Sequence, residues 1–276
     1  MVWHHGFADA EISAATGLSE SQVRDALKRF DITRGNRPSR LSGDVLRVLP
    51  YPGGRHPRIG FLDGAVDPQR ETKVSIFTPW DESSYVVIDV PEAIWSERGL
   101  IYLAHTHVPT VWSKSNIVLQ PLEWDCRSDG SLAIERVLPN SVAFHASVRP
   151  GKEAVRIELV LTNGSTETLR DLRVQNCVML KGANGFQQQT NANKVFMSPY
   201  VACRSEDSAR WIITAWDPCH RVWANPPVPC LHSDPKFPDC PPGETRRLRG
   251  WLSFYEGTNI NAAIERIEST GWRTTR

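Results

Sequence analysis

The chain of 276 residues contains no apolar run near the roughly 18–20 residues that a membrane-spanning helix needs. No membrane partner is expected. Charge of one sign is also missing. The 32 basic and 31 acidic side chains leave a net charge of +1. That balance argues against a general nucleic-acid surface or a strongly acidic substrate. The first residues, MVWHHGFADAEIS, carry neither a basic stretch nor an apolar core of the secretory-signal kind, so a cytoplasmic location is expected. Six cysteines in a chain of this length are too few for the disulfide framework of small secreted domains. Cys126, Cys177 and Cys203 stand among apolar neighbours and read as buried free thiols. There is no phosphate-cradling Gly-x-x-x-x-Gly-Lys loop, no dinucleotide fingerprint and no Gly-x-Ser-x-Gly nucleophile elbow.

At 40% hydrophobic and 23% charged, what remains is the composition of an ordinary globular protein. The densest chemistry lies in residues 216–240, WDPCHRVWANPPVPCLHSDPKFPDC. Its proline density excludes a helix and argues against a central strand. An ordered loop that covers or lines a site is expected there. Residues 8–30 read as two helical pieces broken at Gly17, with Ser19 as N-cap and Gln22 closing a capping box. Residues 34–58 read as a linker rich in Arg, Pro and Gly, whose arginines could hold phosphate or carboxylate or be solvated. From residue 59 the pattern is mainly β. Strands are predicted at 73–77, 85–90, 100–105, 117–124, 132–137, 142–148, 155–162, 172–179, 200–203, 211–216 and 245–255. Asp129-Gly130 and Asn163-Gly164 are hairpin signals, the second with a longer loop. A last helix is predicted at 261–269. Many short strands with few helices between them predict a large antiparallel β-sandwich or barrel with a small α-helical N-terminal hairpin. The organisation is then a helical segment 1–33, a linker 34–58, a β domain 59–260 and a C-terminal helix and tail 261–276.

Ile12-Ser13-x-x-x-Gly17-Leu18-Ser19-x-x-x-Val23 resembles the helix-turn-helix family, with Ser13 in place of the usual alanine. The resemblance implies DNA as a partner, read by residues 19–22 at the start of the second helix. The other reading is a helical hairpin that packs on the main domain or on a second copy of the chain, as a homo-oligomer. Three pieces further on resemble the galactose mutarotase-like superfamily of sugar-handling β-sandwiches. They are Trp124 to Leu132 (W-x-x-x-x-D-G-x-L), the run 155–169 with Thr162-Asn163-Gly164-Ser165, and Pro242-Gly243-Glu244-Thr245. The resemblance spans about residues 120–256. It implies a pyranoside bound in a groove on one sheet, with a His acid and a Glu base. The strand that bears the family's histidine reads Gln175-Asn176-Cys177-Val178-Met179 here and has none. That departure favours binding, or a different chemistry, over mutarotation.

Several residues could carry chemistry. His105 and His107 end an apolar strand and, two residues apart, share a face. With Glu123 and His145 they could hold a divalent metal such as zinc or act as an acid/base pair. They could equally be structural or groove-lining histidines. Glu244 and Glu256 are further candidate partners. Within residues 216–240, Trp216 and Trp223 could stack on sugar rings, while His220, Asn225, His232 and Asp234 bind hydroxyls. The same stretch could hold a structural zinc through Cys219, Cys230, Cys240 and its histidines, or close a disulfide in an oxidising compartment. Asn176 begins an amide-rich stretch with Lys181, Gln187, Gln188, Gln189, Asn191 and Asn193, suited to hydroxyl-rich ligands or to plain surface. The reading is a carbohydrate-active or carbohydrate-binding protein. If it is an enzyme, it is an isomerase or epimerase, a lyase or a hydrolase. The alternatives are a sugar-sensing DNA-binding protein and a metalloprotein using His105 and His107.

Overall fold

A computed structural model describes residues 1–38, 45–53, 71–104 and 108–274. The β pattern resolves into two antiparallel sheets. The first contains β1 (Val48–Pro50), β2 (Lys73–Phe77), β3 (Tyr85–Ser96), β4 (Gly99–Leu103), β9 (Arg173–Met179), β13 (Cys219–Trp223) and β14 (Cys230–Pro235). Its order is β1-β2-β3-β9-β14-β13, and β4 also pairs with β3. The second contains β5 (Asp125–Cys126), β6 (Leu132–Val137), β7 (Val142–Pro150), β8 (Ala154–Asn163), β10 (Lys194–Met197), β11 (Tyr200–Arg204), β12 (Arg210–Asp217) and β15 (Thr245–Glu256). Its order is β10-β11-β12-β15-β8-β7-β6-β5.

Side chains alternate across a strand, so each sheet sends every second residue inward. Val86 and Ile88 of β3, Val174 and Val178 of β9 and Leu231 of β14 share one buried cluster with Phe144, Leu159, Leu161 and Leu252 of the second sheet. The other residues of the first sheet build a separate cluster on its opposite face: Phe77, Tyr85, Val87, Cys177, Met179 and Cys230. The helix pair forms as the caps dictate. Helices α2 (Asp9–Thr16) and α3 (Glu20–Arg29) are split by Gly17 in a left-handed conformation, and Ser19 and Gln22 close the capping box. They follow a single turn, α1 (Val2–His5). His5 lies edge-on to Phe77 and Tyr85 at 5.3 and 4.9 Å and 2.8 Å from the Ser75 hydroxyl. The N-terminal segment therefore docks on the outer face of the first sheet. The last helix, α4 (Ile260–Ser269), packs Ala263 and Ile267 on Trp211 and Trp251 of the second.

Three expectations require correction. Residues 216–240 are not a loop. They contain the end of β12, β13 and β14, and β14 is an interior strand between β9 and β13. The prolines fall where no ladder N–H is lost. Pro218 separates β12 from β13, Pro226, Pro227 and Pro229 lie before β14, and Pro235 is its last residue. Residues 117–124 form no strand. Pro121 interrupts them, the Leu122 amide bonds a Glu71 carboxylate oxygen at 3.1 Å, and Val118 is 79% exposed. Asn163-Gly164 is not a hairpin, because β8 and β9 belong to different sheets. Asn163 is wholly buried. Its amide donates to the carbonyls of Glu167 and Cys240, and its oxygen accepts from the amide and hydroxyl of Ser165. The Gly243 amide bonds the Asn163 carbonyl at 2.7 Å, so two of the three superfamily-like pieces dock on each other. Asp129-Gly130 does turn β5 into β6.

Candidate functional site

Two regions gather ionisable side chains. The first is a groove of about 730 Å³ between the end of β4 and residues 108–123. Its walls are mainly apolar, with Val108, Pro109, Val118 and Leu119 among them. At its floor stands a matched network. Glu71 accepts from Arg136 Nε and Nη2, both at 2.6 Å, from the Tyr102 hydroxyl at 3.0 Å and from the Leu122 amide. Arg136 Nη2 also donates to the Gln120 carbonyl at 2.6 Å. Burial, with the Glu71 charge beside it, raises the Tyr102 pKa well above the usual phenol value, so Tyr102 stays a donor. Glu123 is exposed and lines the same groove. Ala104 and Val108 line it as well. His105 and His107, between them, lie outside the described residues.

The second region is a buried cluster on the outer face of the first sheet. Cys230, His232 and Asp234 take alternate positions on β14 and so point the same way, and all three are buried. Leu231 pairs with Val178, so continuing the register puts His232 across from Cys177. Glu92 of β3 completes the group. One ligand-type atom each from Glu92, Cys177 and His232 lies within 4.8 Å of the other two. Gln175 donates to Glu92 at 2.8 Å. Asp234 accepts from Arg221 Nε at 2.9 Å, the Trp223 indole N–H at 2.6 Å and the Asn176 backbone N–H at 3.2 Å. The Trp223 ring stacks on His232, with centroids 4.1 Å apart.

The electrostatics follow from these contacts. The neighbouring Cys230, together with burial, holds the Cys177 thiol well above its ordinary pKa. The proximity of Cys177, with that of His232, moves Cys230 downward against its burial. Burial disfavours the His232 imidazolium, but Asp234 and Cys230 outweigh it and the pKa rises. The pair can therefore exist as thiolate and imidazolium, with Asp234 behind the ring. His232 Nδ1 is 3.7 Å from Asp234 and makes no hydrogen bond among the described residues. Both side-chain amide atoms of Asn176, on the other face of β9, are likewise buried and unbonded among the described residues.

The structure brings His232, Asp234 and Trp223 together, with the Asn176 backbone beside them. It scatters the other predicted residues. Trp216 is 2% exposed in the shared core, so it offers no ring face to a sugar. Trp223 gives one face to His232, and the Arg221 guanidinium lies 4.9 Å from its centroid. His145 is on β7 of the second sheet, across from Glu135 on one side and Val160 on the other. His220 and Asn225 are exposed. Glu244 is exposed and pairs with Arg246 at 3.1 Å, and Glu256 pairs with Arg210 at 3.3 Å. The expected thiol set of residues 216–240 is not assembled. Cys240 is in the shared core, and Cys219 contacts the Ser233 hydroxyl at 3.7 Å. Cys126 is exposed, contrary to expectation, while Cys177 is buried in polar company. Sequence reasoning read Cys177 and Cys203 correctly as buried free thiols, but it missed Glu92 and the place of Cys177 beside it because nothing local marks the pair. Once β14 is seen as a strand, Cys230-x-His232-x-Asp234 is the signal that could have found the cluster.

No family model matches the chain, and no curated protein matches its sequence. Among solved structures, a protein assigned as a kojibiose phosphorylase from the human microbiome aligns with a TM-score of 0.42 and 6% identity. The alignment covers 68% of this chain and 26% of that one. Heparan sulfate lyase HepC from Pedobacter heparinus gives 0.39 and 11%, over 92% of this chain and 43% of that one. The Slr1438 protein from Synechocystis sp. PCC 6803 gives 0.37 and 9%, over 68% and 88%. The chain thus spans less than half the length of the phosphorylase and the lyase. Likeness this slight fixes neither a family nor a chemistry.

Proposed function

We propose that the protein is a carbohydrate-binding or carbohydrate-active β-sandwich of the mutarotase-like kind, and that its saccharide lies in the groove between the end of β4 and residues 108–123. The observation that carries this reading is the groove itself. It is concave, large enough for a short oligosaccharide, mostly apolar in its walls, and floored by a fixed carboxylate, guanidinium and phenol. Sugars need such a mixture, because apolar ring faces and hydroxyl edges must be met together. The carbohydrate reading also draws on the three superfamily-like sequence pieces, two of which dock on each other at Asn163.

Glu123 is the groove's carboxylate nearest to solvent and is proposed as a hydroxyl ligand or base. His105 and His107, in the segment whose two flanks line the groove, are proposed as its acid/base partners. Isomerisation, elimination and hydrolysis all draw on such a pair. The test is saturation-transfer NMR against a panel of neutral and acidic oligosaccharides, with Glu123→Gln and a His105→Ala/His107→Ala double variant. Binding that weakens in both variants supports the reading. Absence of binding across the panel, or binding that both variants leave untouched, removes the groove from consideration.

A further inference from the structure

We propose that Glu92, Cys177 and His232, with Cys230 as the fourth donor, form a binding site for a borderline-soft divalent cation of the zinc class. The site joins three adjacent strands, β3, β9 and β14, and shares no residue with the groove lining. Among the described residues, this is the one group of three or more metal-ligating side chains drawn this closely together. Ligand atoms around one tetrahedral zinc stand about 3.5 Å apart, given bonds of about 2.0–2.3 Å. The observed spacing, within 4.8 Å, is a small side-chain adjustment away. Cys230 lies outside that closest group of three, but it shares the cluster of Cys177 and the face of β14 that carries His232, so its sulfur is the nearest further donor.

The donor types select the ion. Two thiols, an imidazole and one carboxylate suit zinc, whereas calcium and magnesium take oxygen ligands. The surroundings have the form that metal sites share. A ligating histidine is usually backed by a carboxylate, and ligating carboxylates are themselves hydrogen-bonded. Here Asp234 backs His232 at 3.7 Å and is fixed by Arg221, Trp223 and the Asn176 backbone N–H. Gln175 holds Glu92 at 2.8 Å. Burial adds an independent argument. Glu92, Cys177, Cys230 and His232 are each at least nine-tenths buried. Ionisable groups this deep are normally paired or coordinate a metal. Four protein donors close the coordination shell, so the ion would pin the interior of the sheet rather than activate water.

The test uses the full chain, purified from zinc-supplemented growth and dialysed against metal-free buffer. Zinc is measured by mass spectrometry, and a cobalt-substituted sample is examined by absorption spectroscopy. The expected result is one zinc per chain and a thiolate-to-cobalt charge-transfer band. Zinc should be lost from Cys177→Ser and from His232→Ala, held about tenfold or more weakly by Asp234→Asn, and retained by the His105→Ala/His107→Ala variant. Should the single variants fail to fold, alkylation of the wild-type chain decides. Zinc should protect Cys177 and Cys230 while exposed Cys126 reacts freely. The proposal is overturned if the wild type binds neither zinc nor cobalt. It is also overturned if bound metal lacks the thiolate band and leaves Cys177 and Cys230 unprotected, if zinc is lost only with His105 and His107, or if the native chain carries a Cys177–Cys230 disulfide.

Discussion

The groove floor and the buried cluster use similar side chains to opposite effect. At the groove floor every strong group is answered. Glu71 accepts four hydrogen bonds, two of them from the same guanidinium. On the outer face of the first sheet, Asp234 is answered as fully, but among the described residues His232 keeps an unbonded nitrogen and the two thiols lie beside each other and the imidazole. A fully satisfied buried network rigidifies a surface, and a partly satisfied one is costly unless a further partner completes it. The first region therefore reads as a shaped wall for a ligand that arrives from solvent. The second reads as a set of donors that a cation completes. The two are close in the fold, since the Ala104 amide on the groove wall bonds the Glu92 carbonyl at 2.8 Å.

The largest expected effect is at the groove floor. Glu71→Gln leaves Arg136 buried without its charge partner, and breaking such a pair costs about 3–5 kcal/mol. Urea denaturation should show that loss with little change in slope. Asp234→Asn keeps shape and volume but gives up a charge-assisted set, for about 1.5–3 kcal/mol in metal-free protein. If the two substitutions cost the same, the contrast between a matched and an incomplete network fails. Glu123→Gln sharpens the comparison from the other side. An exposed position should change stability by no more than about 0.5 kcal/mol, while calorimetric titration with a bound saccharide should show affinity down about tenfold.

The smallest effect concerns the N-terminal segment. Burial, then Arg47 and Arg37, pushes the His4 pKa from 6.5 down to about 4. The folded chain keeps this ring neutral where the unfolded chain would protonate it. Its docked state is therefore fully favoured above pH 6.5 and loses ground as pH falls toward 4. Protection of the amides of residues 2–7, measured as exchange relative to the intrinsic rate at each pH, should fall over that window, ahead of the first sheet. A His4→Asn variant that shows the same fall would assign it to another group.

The predominance of β-strands, the capped pair of N-terminal helices and the final helix were legible in the sequence. Each is written in local periodicity or in one turn, such as Gly17-Leu18-Ser19 or Asp129-Gly130. The β14 strand was not legible, because proline density is read along the chain. Only the ladder shows that those prolines fall at strand ends and connections. Trp216 illustrates the same limit. Its neighbours suggested an aromatic platform, yet it packs against Gly250, where a Cβ would come within 2.7 Å of the indole.

By itself, then, the sequence determined the kinds of elements and most of their positions, because backbone preference and side-chain periodicity act over a few residues. It also marked His232, Asp234 and Trp223 as functional candidates through their local density. Only the tertiary structure decided that Glu92 and Cys177 stand beside them while Glu244, His145 and Trp216 do not. Contacts between β3, β9 and β14 are set by strand order and register across more than 130 residues of chain, and no local pattern carries that information.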